Sequence, residues 1–124
     1  MENSGWDAWL EFFLDGVLSV ATQAIEAAAR IRDLFEADRD RIKSLGRPAS
    51  SALRLHEHMQ RRPYVTIQWA AIELGLSAPT VMTAARNLEK LGIVSEASGR
   101  TWKRLFLYAR YFEILNEDGA PLPR

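Results

Sequence analysis

At 124 residues the chain has room for one domain with a real core, or for a small domain carrying an extension, and is too short for two ordinary domains. Hydrophobic residues make up 48% and charged residues 26%, a globular balance that argues against wholesale disorder, and the lack of cysteine excludes disulfides and thiolate metal sites. The formal net charge of zero hides a division: residues 1–46 carry five basic and nine acidic side chains, residues 47–110 ten and four, and residues 111–124 one and three. The central excess of +6 is of the kind that meets a polyanion, although many solvated surfaces show as much. No uninterrupted apolar run reaches membrane-spanning length, and no basic segment leads into an apolar one at the start. The expectation is a cytoplasmic protein with no membrane partner.

From Trp6 to about Lys43 apolar residues recur at intervals of three and four, through Trp9, Phe13, Val17, Ala24, Ile31 and Leu34, and no proline intervenes, which predicts a helix. Gly16 is its weak interior point. Unbroken, such a helix is about 60 Å long, more than the width of a small domain, so part of it must project or find a partner. "SLGRPAS" (44–50) supplies a glycine stop and a proline start, and divides an arm (1–46) from a compact part (47–118), with 119–124 a loose tail. A second helix, "SALRLHEHMQRR", has Leu53, Leu55 and Met59 on its apolar side with His56 beside them, and ends at Pro63. "YVTI" is β-prone, Thr66 can cap a third helix ending at Gly75, and Ser77 can cap a fourth. In that fourth helix Val81, Ala85, Leu88 and Leu91 form one apolar stripe, and Pro79, Thr80, Thr83, Arg86, Asn87 and Lys90 form a polar side without an acid. "IVSEA" and "WKRLFLY" around "SGRT" predict a hairpin turning at Gly99, and "ARYFEILNEDG" a last short helix.

Helix, short strand, helix, tight turn, helix, hairpin is the order of a winged helix-turn-helix, so the fold class expected is mainly α with a small β-hairpin, preceded by a long helical arm. In the turn "ELGLSAPTV", Gly75 takes the positive φ, Leu76 plugs the gap between the helices and Ser77 satisfies exposed N–H groups. The helix after it would enter a major groove of double-stranded DNA, Ser77 at its start, Thr80, Thr83 and Asn87 meeting base edges and Arg86 and Lys90 meeting phosphates. Arg100, Lys103 and Arg104 of the wing would neutralise further phosphates. The alternative is a protein-interaction or dimerisation module, because this fold serves both roles.

"GWDAWLEFFLDGVLSVATQAIEAAARI", "DRIKSLGRPASSALRLHEHM", "GLSAPTVMTAARNLEKLGIVSEASGR" and "RLFLYARYFEILNE" together resemble the C-terminal portion of bacterial Fic-family proteins, in order and over nearly the whole chain. In that family a catalytic domain that moves AMP from ATP onto a protein hydroxyl is followed by a winged-helix domain. The resemblance implies that this chain is the last helix of the former with all of the latter, a regulatory module whose partner is a Fic catalytic domain. The family's catalytic motif H-P-F-x-D-G-N-G-R is missing. "FFLDGV" keeps F-x-D-G at Phe13–Gly16, but Glu11 and Phe12 stand where His and Pro belong, and Val17, Leu18 and Ser19 replace Asn, Gly and Arg. Without the histidine base and the phosphate-cradling glycines this chain is expected to be no enzyme and to use no cofactor.

Trp6, Trp9, Phe12, Phe13, Leu14 and Val17 make a cluster too apolar for a solvated helix. Pairing of two arms into a homodimer would cover it; the alternative is an arm folded back on its own domain. His56 and His58, two apart on a helix, do not share a face and complete no metal set, so no metal is expected. Asp33, Glu36, Asp38 and Asp40 among Arg32, Arg39 and Arg41 read as salt-bridge decoration of the arm. Tyr64, Trp69 and Trp102 read as core or strand-face aromatics, Trp102 also as a base-stacking platform.

Overall fold

The computed structural model describes residues 4–97 and 104–118. In chain order these form α1 (Ser4–Lys43), α2 (Ala49–Met59), β1 (Tyr64–Thr66), α3 (Ile67–Leu74), α4 (Ala78–Lys90), β2 (Ser95–Glu96), β3 (Leu105–Leu107) and α5 (Ala109–Asp118). The protein is mainly helical, with a small antiparallel sheet in the order β1-β3-β2. The β2–β3 pairing was expected; β1 joins it from outside the hairpin, Val65 opposite Phe106 and Glu96 opposite the same Phe106 on the other side. β3 is the central strand, paired on both edges, and its Phe106 is wholly buried.

Local signals set the element ends. Gly46 and Gly75 stop helices at φ +80° and +67°, where a Cβ is strained. Thr66 accepts a hydrogen bond from the Trp69 N–H and starts α3; Ser77 does the same for the Thr80 N–H and starts α4. α2 packs on α4, and α1 on α5 and α2. Between them lie Ile42, Leu55, Met59, Val81, Leu88 and Phe106, all withdrawn from water, each worth about 1.5–3 kcal/mol on burial.

α1 is continuous through Gly16 and has two unlike parts. Residues 5–26 are exposed throughout, so the arm does not fold back; from Ala27 onward Ile31, Leu34, Phe35 and Ile42 face the core. The turn at Gly46 falls where the arm boundary was expected, but packing places the last four turns of α1 with the compact part. Over its length and composition α1 is also apolar enough to cross a membrane, a property its uninterrupted runs conceal because Asp7, Glu11 and Asp15 break them.

One buried polar chain ties α1 to the rest and corrects the reading of Asp38 as surface decoration. Asp38 is 4% exposed, His56 1% and Tyr108 0%. The Tyr108 hydroxyl donates to Asp38 Oδ2 at 2.6 Å, so its oxygen must accept from His56 Nε2 at 3.0 Å. That leaves His56 Nδ1 as an acceptor, met by Gln60 Nε2 at 3.3 Å. Arg41 closes the other end on Asp38 Oδ1 at 3.4 Å and also donates to the Leu91 carbonyl. Burial holds His56 below its ordinary titration range, only partly offset by Asp38, and pushes the Tyr108 phenol far up, with the hydrogen bond to Asp38 adding to the effect. Phe35 stacks edge-on against His56 and Tyr111 and seals the chain from water. Decoration does hold for Arg32 and Asp33, an exposed pair at 3.5 Å.

Candidate nucleic-acid interface

α3 and α4 meet through Gly75, Leu76 and Ser77. The Leu76 N–H bonds back to the Ala71 carbonyl while its side chain rests on the core, so the turn is locked from both ends. Val81, Ala84, Ala85 and Leu88 are buried, which fixes the rotation of α4 about its axis. Thr80, Thr83, Asn87 and Lys90, at spacings of three and four, therefore form an outward stripe along its length. Ser77 and Thr80 turn their hydroxyls on each other at 2.8 Å, which keeps both at the helix start. Thr83 and Lys90 are exposed, and Asn87 is half-buried at the edge of the stripe.

Arg86 is differently placed. Its guanidinium donates to Glu89 at 2.7 Å and to Glu96 on β2 at 3.2 Å, and lies over the Phe106 ring at 5.5 Å. The hydrogen bond to Glu89, with that to Glu96, raises its already high pKa. Glu89 thus brings an acid to the edge of a face read as free of acids. Arg104, at the start of β3, reaches the same Glu96 at 3.7 Å, its Nε buried without a hydrogen bond. Two of the five side chains expected on phosphates, Arg86 and Arg104, are thereby gathered around one carboxylate. Arg100, Lys103, Trp102 and the Gly99 turn lie outside the described residues, as does the 119–124 tail.

Arg61 and Arg62, which among the described residues keep no carboxylate within ion-pair distance, lie elsewhere. Arg61 and Arg62 follow α2, both exposed, and Arg62 stacks over the Trp69 ring at 4.2 Å. Trp69, in the first turn of α3, is half-buried and also meets His58 in a T-shaped contact at 5.6 Å. Neither the Arg62–Trp69 pair nor Arg61 was singled out by sequence; the only signal was the doubled arginine before Pro63. His58 sits below its ordinary range through burial, with Glu73 opposing. Tyr64 is exposed on its strand.

The arm residues are assembled as the spacing demands. Trp6, Trp9 and Phe13 stack in series at 5.3 and 5.4 Å, and Phe12, Leu14 and Val17 flank them, with exposures from 50% to 79%. Phe12, Phe13, Gly16, Val17, Val20 and Ala21 line an apolar trough beside the stack. Among the described residues no group of three His, Asp or Glu side chains converges as a metal site would require. Compared with known proteins, the chain matches no protein-family model and no curated protein.

Proposed function

We propose that this chain is a winged helix-turn-helix module that binds double-stranded DNA and regulates a Fic-type protein, with no AMP transfer of its own. The observation that carries the reading is the outward stripe of Thr80, Thr83, Asn87 and Lys90 on α4, a helix fixed by a glycine turn and a serine cap against α3. α4 is 13 residues long, about 20 Å, which suits a major groove. The β2–β3 hairpin beside it is the expected wing, and the Fic assignment rests on the four sequence segments that resemble that family. The missing H-P-F-x-D-G-N-G-R motif supports the non-catalytic part of the reading.

The test is fluorescence anisotropy with a labelled random duplex at low and moderate salt. Binding that weakens steeply with salt and is reduced in Arg100→Ala/Lys103→Ala supports it. No binding at low salt refutes it. A second reading, a protein-protein module, is favoured by one observation: the bare aromatic stack of the arm. In that reading two arms pair into a homodimer, or the arm docks on a Fic catalytic domain.

A further inference from the structure

Where a helix-turn-helix lays its second helix in the groove, its first helix crosses the phosphate backbone. Here the first helix is α3, and Trp69 stands in its first turn with the Arg62 guanidinium carbon 4.2 Å over its ring. An arginine stacked on an indole keeps its N–H edges in one plane and directed outward, the geometry that grips a phosphate through two parallel hydrogen bonds. The platform is restrained, because His58 meets it in a T-shaped contact at 5.6 Å and Thr66 caps the same turn. Arg61 adds a second exposed charge beside it. Arg61 lines one dent together with Arg54, Glu57 and Glu73, yet neither carboxylate comes within ion-pair distance of Arg61 or Arg62. By contrast, Arg86 and Arg104 are drawn to Glu96.

We infer that Arg61 and Arg62, the latter held on Trp69, form a phosphate-binding edge that grips the DNA backbone flanking the groove occupied by α4. The inference rests on the DNA-binding reading and moves most of the backbone contact among the described residues from α4 and β3 to the α2–α3 edge. Trp69 is a positioning residue: it touches no phosphate, but sets the plane of the one that does.

The test measures duplex DNA affinity of the full chain over a salt series for wild type, Arg61→Gln/Arg62→Gln, Trp69→Leu and Trp69→Phe. In the double variant the slope of log affinity against log salt is expected to fall by about two, one unit for each phosphate no longer neutralised, with affinity at low salt down about tenfold or more. The preference between two duplex sequences should not change, since the edge reads no bases. Trp69→Leu keeps both charges yet should weaken binding severalfold, and Trp69→Phe should restore most of it. The arginines are exposed and circular dichroism should be unaltered in their double variant, so misfolding is separable. Wild-type binding with an unchanged slope in the double variant overturns the inference and leaves the DNA reading standing; no wild-type binding overturns both. Equal competition by polyglutamate at matched charge would make the edge a site for acidic protein and overturn the phosphate assignment.

Discussion

Tyr108→Phe removes one oxygen and should cost more than its volume suggests. The ring stays and no cavity opens, so the whole effect belongs to the polar chain. Asp38 loses its shortest hydrogen bond, 2.6 Å, and keeps only Arg41 at 3.4 Å, while the His56 Nε2–H loses its acceptor at 3.0 Å. A hydrogen bond to a charged group contributes about 1.5–3 kcal/mol, and an orphaned buried donor costs about 1–3 kcal/mol; allowing for relaxation, a loss of about 3 kcal/mol is expected. Urea unfolding followed by circular dichroism should show the midpoint falling by roughly 2 M with an unchanged slope. A double-mutant cycle with Asp38→Asn should show coupling of about 1 kcal/mol or more, because the two groups lie in contact. A loss below about 1 kcal/mol, or an additive cycle, refutes the claim that these buried groups hold α1 against α2 and the junction of β3 with α5.

The pH dependence follows from the same chain. Folding lowers the pKa of His56, and of His58, below 6.5, so the unfolded chain takes up protons that the native one refuses. Stability is full above about pH 6.5 and falls as pH drops toward the lowered folded values; unfolding midpoints at pH 7.5 and 5 should show this, and His56→Gln should flatten it. Tyr108 and Tyr111 act at the other end, their raised pKa values costing stability as pH climbs above about 10. Glu96→Gln should release Arg104, leave Arg86 on Glu89, and raise DNA affinity severalfold with a steeper salt slope; unaltered anisotropy would show that Glu96 does not restrain Arg104. Trp9→Glu/Phe13→Glu should convert an arm-paired dimer to monomer in sedimentation velocity, and a wild type already monomeric at micromolar concentration refutes arm pairing.

Features that a few neighbouring residues decide were legible in the sequence. Gly75, Leu76 and Ser77 build their turn from their own backbone preferences, and Thr66 caps α3 from three residues away. What eluded it joins distant positions: Asp38 and Tyr108 are 70 residues apart, and no period in either segment marks them as partners. Asp38 resembles its neighbours Asp33 and Asp40 in every local respect and differs only in facing inward. Arg86 shows the same limit on a shorter scale, since Glu96 approaches it only once β2 has paired with β3. The arm aromatics were visible as a cluster, and the structure shows how they stack without adding a cover.

α1 has no glycine or proline between Gly16 and its end at Lys43. The bare stack around Phe13 and the buried Ile42 lie on this one continuous helix, their separation close to 44 Å at about 1.5 Å per residue. Beyond Gly16 the rod has no glycine or proline at which a disturbance can die out. A body seated on the stack that tilts it by a few degrees would swing the far end, about 22 Å beyond Ala27, by roughly 1–2 Å, and the Asp38–Tyr108–His56 clasp would carry that displacement into the helices beside it. The arm is in this sense a lever arm, with its fulcrum near Ala27 where the rod enters the core.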